Sequence, residues 1–370
     1  MVFCAAIDNR SPFSTETFVI TDNEAQEILV LVVSASFQEK TAKKLDVSDK
    51  QSPIRPADEY TGDPSHSSIR YESDVALEKP KVDVLVIGHA YSTNGRPTPE
   101  VPVQLRVGDI NKQLIVSGDR YWRGGAFGST PSKPEPFVAM PLIYERAYGG
   151  TDRKSSNPAE HQCDVRNPVG VGFRKAISAD PNVQTEVPNI EYVNQRVLSS
   201  SDQVLPASFG VVGRGWQPRI SLAGTYDDKW LNEQWPLLPS DFDPRHYQSA
   251  PLDQQSATIR GGEMVGLLNM TPNGIWTFRL PLLNIPLHYY YDDRVEEGTL
   301  RLDTVLIEPD QYKVTLTSRA IVKTIRNKGM LREIVLGHMS PGWLRAHAKR
   351  KNYFDSRGKG GVLDTPLFQL

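Results

Sequence analysis

The stretch that decides the fold reads VPVQLRVGDINKQLIV and runs from residue 101 to residue 116. Val101, Val103, Leu105 and Val107 alternate with residues of a different kind. This period of two is typical of a strand with one buried face. A Gly-Asp pair follows and supplies a turn, and a second strand pattern then returns to residue 116. The sequence therefore predicts a β-hairpin here.

Similar patterns lie on both sides of this hairpin. Ile28 to Val33 is apolar at every position, as expected for a strand that is buried on both faces. We predict strands over Glu27–Phe37 and Val82–Gly88, and further hairpins over Met264–Leu280 and Thr304–Thr317.

Only two segments favour a helix. An Asp can cap a short helix over Asp227–Trp235. Ser340 and Pro341 suit the start of a helix that continues to Tyr353. Elsewhere 28 prolines and 27 glycines punctuate the chain, and proline is excluded from helix interiors and central strands. The predicted fold class is mainly β, with antiparallel sheets in a sandwich or barrel-like arrangement, long ordered loops and a C-terminal helix.

The expected organisation is one mainly β domain over residues 1–322, followed by a C-terminal helix and basic tail over 323–370. Residues 39–69 are polar and contain three prolines and a glycine, so we expect a long, mobile loop there.

Composition restricts the class of protein. The 370 residues carry a net charge of −2, which favours neither nucleic acid nor an anionic membrane as a partner. The longest apolar run is far shorter than the roughly 20 residues that span a bilayer. Met1 to Arg10 lacks the pattern of a signal peptide, and two cysteines cannot form a disulfide framework. We expect a cytoplasmic protein without nucleic-acid or membrane partners.

Motifs for catalysis or metal binding are absent from the sequence pattern. His161 and Cys163 form one potential ligand pair, and His246 lies near two aspartates, but neither group has the spacing of a zinc site. No phosphate-binding loop or nucleophile elbow is present. We therefore expect no metal, cofactor or catalytic residue. A carboxylate pair for glycoside hydrolysis stays open as an alternative, with these candidates: Glu145, Asp152, Asp227 and Asp228.

Two aromatic clusters are candidates for binding a partner. Tyr289, Tyr290 and Tyr291 are consecutive, and consecutive strand residues point to opposite faces. At least one of them should then be near the surface. Trp230 and Trp235 form the alternative patch, since exposed aromatics often anchor protein contacts.

Three charged residues are predicted to be internal anchors. A proline-rich loop leaves many backbone carbonyls without a strand partner, and arginine has five donors to satisfy them. We expect Glu145, Arg146 and Arg260 to tie the loops to the sheets in this way.

Ten blocks of sequence carry a family resemblance. They are KPKVDVLVIGHA (79–90), VQLRVG (103–108), GDRYW (118–122), MPLIYERAYGG (140–150), NPVGVGF (167–173), PASFG (206–210), DFDPR (241–245), APLDQQ (250–255), RGGE (260–263) and LDTVLIEPD (302–310). In this order, from about Ile20 to Val322, the chain resembles a bacterial family catalogued as a domain of unknown function and linked to type VI secretion. Many relatives continue into pentapeptide repeats, which this sequence lacks.

The resemblance implies a non-catalytic adaptor or chaperone. Such a protein would bind a type VI effector through its PAAR-like region and help to load it onto the VgrG spike. It implies no catalytic residues. The main alternative is a glycan-active or metal-dependent hydrolase with its site in the central loop region, and a structural subunit that travels with the spike is a third reading.

Overall fold

The computed structural model describes residues 5–41, 44–125, 128–173, 177, 183–323, 329–349, 351 and 368–369. It is 41% strand and 11% helix, so the prediction of a mainly β fold with antiparallel sheets is confirmed. The strands are β1 (Ala6–Asn9), β2 (Ser14–Thr21), β3 (Glu27–Thr41), β4 (Lys44–Val47), β5 (Glu59–Tyr60), β6 (Ile69–Tyr71), β7 (Val82–Val86), β8 (His89–Tyr91), β9 (Glu100–Val107), β10 (Ile110–Ser117), β11 (Arg120–Gly125), β12 (Gly128–Pro131), β13 (Ala139–Pro141), β14 (Tyr148–Gly149), β15 (Thr151–Asp152), β16 (Gln162–Cys163), β17 (Val171–Gly172), β18 (Glu186–Val187), β19 (Ile190–Tyr192), β20 (Gln255–Ser256), β21 (Met264–Leu268), β22 (Ile275–Arg279), β23 (Leu282–Leu283), β24 (Leu287–Tyr291), β25 (Val295–Gly298), β26 (Arg301–Glu308), β27 (Lys313–Lys323), β28 (Leu331–Leu336) and β29 (Phe368–Gln369).

The largest sheet has seven strands. Its order is β2-β3-β27-β26-β7-β20, with β4 paired to the far end of β3. β26 and β7 run parallel, and the other pairs are antiparallel. Apolar residues on both faces of β3 are buried, as its unbroken apolar run predicts. Leu31 belongs to the main core on one face, whereas Val30 packs with Ile54 on the other.

Two further sheets complete the core. The five-stranded sheet, β19-β10-β9-β21-β22, contains the hairpin predicted over residues 101–116, with Val101 opposite Val116. The four-stranded sheet has the order β1-β28-β24-β25. One cluster of buried apolar side chains includes Leu31 of the large sheet, Leu105 of the second and Leu287 of the third. The three sheets therefore share a single core.

The two predicted helices are present. α1 spans Asp228–Glu233, and the Asp227 side chain accepts a hydrogen bond from the Trp230 N–H at 2.8 Å. α2 spans Pro341–Ala348, with Ser340 Oγ accepting from the Trp343 N–H. α2 ends before the predicted limit, and Tyr353 lies outside the described residues. Among the described residues, no helix is long and apolar enough to cross a bilayer.

The sequence predicts a long loop over residues 39–69, but the structure has strands within this segment. β4 extends the large sheet, and β5 pairs with β6. Between them, the Gln51 side chain accepts from the Ser36 N–H and donates to the Ser36 carbonyl. The Gln51 side chain thus makes the hydrogen bonds that a neighbouring strand would make at this point of β3. The polar composition of residues 39–69 therefore did not indicate an irregular backbone.

The end of the chain also differs from a simple helix and tail. β28 lies between β1 and β24 in the four-stranded sheet, so residues 331–336 belong to the β structure. Most of the basic tail lies outside the described residues.

Candidate interaction surface

The three consecutive tyrosines are all buried. Tyr289, Tyr290 and Tyr291 are 6%, 2% and 9% exposed, so the expectation that one of them reaches the surface is wrong. The physical reason is that both faces of β24 are covered. Tyr289 and Tyr291 face the main core, whereas Tyr290 packs against Trp343 of α2 on the other face.

The alternative aromatic patch is exposed. Four large apolar side chains of one segment, residues 220–235, are exposed, two of them aromatic, and we call the four the aromatic surface. Ile220 is 47% exposed, Tyr226 54%, Leu231 57% and Trp235 64%. Large exposed apolar groups gathered in one short segment are typical of a contact site for another protein.

Trp230 is partly buried and contacts two members of this surface, Tyr226 and Trp235. Its ring meets the Tyr226 ring edge to face, with centroids 4.7 Å apart. The indole N–H donates to the carbonyl of Leu237 at 2.9 Å, and the Trp230 carbonyl accepts from the Trp235 N–H at 3.0 Å. The two tryptophans therefore have different roles. The Trp230 side chain holds the local backbone in place, whereas the Trp235 side chain is free to contact a partner protein.

A buried arginine fixes the segment to the rest of the protein. Arg219 is 3% exposed and lies in a 3-10 turn, Arg219–Leu222, next to Ile220. Its guanidinium donates to the carbonyls of Val212 and His246 and to Glu72 Oε1 at 2.6 Å. These three hydrogen bonds, one of them charge-assisted on both sides, fix the 3-10 turn that carries Ile220, the first residue of the aromatic surface.

The anchoring continues into the seven-stranded sheet. The Lys79 ammonium lies 3.7 Å from Glu72 and 2.9 Å from Asp83, which is on β7. Asp83 in turn accepts hydrogen bonds from Gln248 and from the Ser249 N–H. Burial by itself would raise the pKa of Glu72, but the charges of Arg219, Lys79 and Arg214 prevail and lower it below its ordinary value. Glu72 is therefore an ionised partner.

Of the predicted loop anchors, Glu145 makes the most contacts. Its carboxylate accepts from Thr61 Oγ1 at 2.6 Å and from the Ser68 N–H and hydroxyl, which ties the 61–68 loop to the 3-10 turn Tyr144–Arg146. Arg146 is a third exposed and donates to the side chains of Asp119 and Asn189.

Arg260 is not an internal anchor. It is exposed, and its guanidinium donates to the carbonyl of the adjacent Ile259. The expectation was wrong because the loop carbonyls near Arg260 are reached by other donors, such as Arg279 on Gly262.

A cavity of about 210 Å³ lies at the end of β7, and it bears on the hydrolase alternative. Two carboxylates, Glu308 and Asp310, are among its lining residues. Asp310 accepts from the Tyr91 hydroxyl and lies 2.7 Å from His89 Nδ1. Burial alone would raise the pKa of Asp310, but the hydrogen bonds from His89 and Tyr91 lower it. Glu308 accepts from the Tyr71 hydroxyl and pairs with Lys313.

Three of the remaining candidate catalytic and metal residues, His161, His246 and Asp227, have structural contacts. His161 Nε2 lies 2.9 Å from the Ser155 carbonyl, and His246 Nδ1 lies 2.9 Å from the Arg219 carbonyl. Asp227 caps α1. Over the part of the chain that the structure describes, no three His, Cys, Asp or Glu side chains are placed to hold a metal ion.

Together the geometry defines a class: a mainly β protein with one shared core and a rigidly anchored, exposed aromatic surface. A family described as an uncharacterized protein conserved in bacteria (DUF2169) matches residues 24–319, and the chain belongs to this family. The range agrees with the extent of the resemblance seen in the sequence. Comparison with curated proteins and with solved structures found no match.

Sequence reasoning missed the buried charges that position the surface. Arg219 lies 147 residues from Glu72 in the chain, and charged residues are rarely buried unless they are paired. The one local signal was the spacing of Lys79 and Asp83 at the start of a strongly apolar strand.

Proposed function

We propose that this protein is a non-catalytic adaptor or chaperone of a type VI secretion system. In this role it binds the PAAR-like region of an effector, keeps the effector soluble and helps to load it onto the VgrG spike. The proposal rests on the ten ordered sequence blocks and on one structural observation, the exposure of the aromatic surface.

The aromatic surface supports an adaptor because it combines exposure with rigidity. Trp235 is 64% exposed, yet its backbone N–H donates to the Trp230 carbonyl, and the Trp230 indole donates to the carbonyl of Leu237 two residues beyond it. A preformed apolar contact loses little conformational freedom on binding, which favours affinity. Tryptophan is also enriched among the residues that contribute most to interface energies.

The experiment is co-expression with each product of the neighbouring genes, followed by purification of the complex. We expect one effector to co-purify, and to be insoluble or unsecreted when this gene is deleted. Trp235→Ala should weaken the complex by roughly 2 kcal/mol or more if Trp235 is an anchor residue.

A matched control distinguishes the adaptor role from the assignment of the aromatic surface as its contact site. Ile275 is 65% exposed on β22, outside the aromatic surface, so Ile275→Ala should leave the complex intact. An effector that folds and is secreted normally without this protein would overturn the adaptor role. Equal effects of Trp235→Ala and Ile275→Ala would instead overturn the assignment of the surface.

The hydrolase alternative has one observation in its favour, the cavity that contains Glu308 and Asp310. Two features count against it. The lowered pKa of Asp310 keeps this carboxyl ionised at neutral pH, whereas a general acid needs a raised pKa. Glu308 is engaged by Tyr71 and Lys313.

This alternative is tested with Asp310→Asn. Loss of effector delivery in this variant, with the complex still formed and the melting temperature unchanged, would point to chemistry in the cavity. Unchanged delivery is the expected result.

A further inference from the structure

The cavity of about 210 Å³ at the end of β7 has walls that hydrogen bonds hold in place. The Leu142 N–H donates to the Gly88 carbonyl at 3.0 Å, which joins two lining segments. A third lining segment is fixed by the Ser68 N–H, which donates to the Glu145 carboxylate at 2.7 Å. The cavity is therefore formed before any occupant enters, as most ligand sites are.

The lining of this cavity is mainly apolar. Val86, Leu142, Tyr144 and Val211 line it and are almost fully buried, and Ile69 of β6 joins them. An occupant that covers these side chains must itself be largely apolar, because a polar group placed against them would lose its hydrogen bonds to water.

The size of the cavity limits what can enter. An apolar cavity of about 150 Å³ takes up one benzene ring, whereas sites for whole cofactors and drug-sized ligands usually measure about 300–1,000 Å³. A volume of about 210 Å³ lies between these values. The cavity therefore fits one substituted ring and is too small for a nucleotide or a sugar chain, so a larger molecule would enter it with a single side chain.

The charged groups at the cavity disfavour a charged occupant. Glu308 accepts from the Tyr71 hydroxyl and pairs with Lys313, so its charge is already balanced. Asp310 lies 2.7 Å from His89 Nδ1. An ammonium group would lose its hydration without gaining a free carboxylate, and both carboxylates would repel an anion. Arg70, which also lines the cavity, is exposed and contacts the Tyr71 ring.

His89 supplies a hydrogen-bond acceptor beside the apolar lining. Burial alone would raise the pKa of Asp310, but hydrogen bonds from His89 and Tyr91 lower it, so the carboxylate is ionised and can only accept. In neutral His89 the proton is therefore on Nδ1, and Nε2 keeps its lone pair. Within the described part of the chain, no hydrogen-bond donor reaches His89 Nε2.

We propose that this cavity binds one neutral aromatic side chain that carries a hydrogen-bond donor, the phenol of a tyrosine or the indole of a tryptophan, presented by a partner polypeptide. The ring fills the apolar interior, and its O–H or N–H donates to His89 Nε2. A ring without a donor would displace water from this acceptor and leave it unpaired. The inference does not depend on the type VI secretion role, since it names the chemistry of the contact and not the partner.

The test is a titration of the full chain, labelled at its isoleucine δ-methyl groups, with small aromatic probes and with NMR as the readout. The probes are p-cresol, toluene and 4-methylanisole, in which a methyl group blocks the donor. We expect p-cresol to bind with a Kd of about 1 mM or tighter. It should bind roughly three- to tenfold more tightly than toluene or 4-methylanisole.

The same spectra locate the site. The methyl signals of Ile69, Ile87 and Ile143, which line the cavity, should shift on binding. Ile334 is fully buried on β28 and is the control that should not shift. No binding of p-cresol, or binding without shifts at the three lining isoleucines, would overturn the site.

His89→Ala tests the acceptor. The His89 side chain is 42% exposed, so its removal should leave the fold intact. In this variant p-cresol should bind no more tightly than toluene does, and the affinity for toluene should not fall. A preference for p-cresol that survives in His89→Ala, or equal affinities of the two probes for the wild type, would overturn the donor requirement.

N-acetyl-tyrosinamide separates a side chain from a free compound. This probe carries the same phenol on a peptide backbone, and it should bind within about threefold of p-cresol, with shifts at the same three isoleucines. Binding of p-cresol without binding of N-acetyl-tyrosinamide would overturn the assignment to a partner polypeptide, because it would show that the mouth of the cavity admits only a free phenol.

Discussion

The guanidinium of Arg219 and the carboxylate of Glu72 meet at 2.6 Å, although 147 residues separate them in the sequence. Both side chains are almost fully buried, at 3% and 6% exposed. This ion pair joins the base of the aromatic surface to the segment that precedes β7. The surface and the core are therefore expected to be energetically linked.

Arg219→Ala should destabilise the protein by about 3–5 kcal/mol, because it leaves the Glu72 charge buried without its closest partner. The measurement is urea-induced unfolding at neutral pH. Arg245→Ala is the matched control: the Arg245 side chain is 65% exposed where it pairs with Asp243, and solvent-exposed ion pairs contribute little to stability. Similar losses in both variants would contradict the anchoring role.

Glu72 should make stability depend on acid pH. Its folded-state pKa is lowered, so its contribution is present above the unfolded value, near 4.3, and is lost as the pH falls through the folded value. The difference in unfolding free energy between wild type and Glu72→Gln should therefore shrink from pH 7 to pH 3. A constant difference would show that Glu72 is not an ionised partner in the folded state.

Lys112 should make the stability of the protein depend on alkaline pH. Its ammonium is buried and donates to the Ser208 carbonyl and to the Asp253 and Gln254 side chains, and burial lowers its pKa to about 8. In the unfolded chain the pKa of this lysine is near 10.4, so the unfolded state stays protonated at pH values where the folded state does not. The free energy of unfolding therefore rises with pH between these two pKa values. The rise from pH 7 to pH 9.5 should be about 2 kcal/mol.

Lys112→Met should lack that rise, whereas Lys229→Met, at an exposed position of α1, should keep it. Urea unfolding of the three proteins at both pH values provides the comparison. A rise of the same size in Lys112→Met would assign the effect to other groups.

The tyrosine and tryptophan positions should separate stability from binding. Tyr290 is 2% exposed and packs with Trp343, so Tyr290→Ala should cost about 3–5 kcal/mol, as for other buried aromatics. Trp235→Ala should change the free energy of unfolding by no more than about 0.5 kcal/mol. Thermal melts of the two variants check this, and a large loss in Trp235→Ala would mean that Trp235 is structural.

Gly118 lies where the backbone of another segment passes very close. An added Cβ would overlap the Glu135 carbonyl, whereas at Gly215 nothing lies within 4 Å. Gly118→Ala should therefore cost at least about 1–3 kcal/mol by overpacking, and Gly215→Ala should be close to neutral. Equal melting temperatures of the two variants would contradict the close approach of Gly118, between β10 and β11, to the Glu135 carbonyl.

The sequence predicted those parts of the fold that depend on near neighbours. The hairpin at Val101–Val116 and the cap at Ser340 follow from residues only a few positions apart, and both are present. The parallel pairing of β7 with β26 joins Val84 to Val305, and no local pattern encodes such a contact.

The difference between near and distant contacts also explains why the predicted exposure of one of the three tyrosines was wrong. The alternation rule correctly gives Tyr290 the opposite face from Tyr289 and Tyr291. What covers that face is α2, about 50 residues further along the chain. Exposure depends on such distant packing, so the strand pattern alone gave the wrong answer for Tyr290.

The pairing of β3 with β27 has a consequence for synthesis on the ribosome. β3 ends at Thr41 and β27 begins at Lys313, so 271 residues must be added before this neighbour emerges. At typical translation rates this takes roughly 15–50 s. During that time the apolar strand Glu27–Thr41 has β2 on one side and an open edge on the other. A ribosome stalled before residue 313 would present this edge to the same strand of another nascent chain, which makes it the principal aggregation hazard of an unfinished polypeptide.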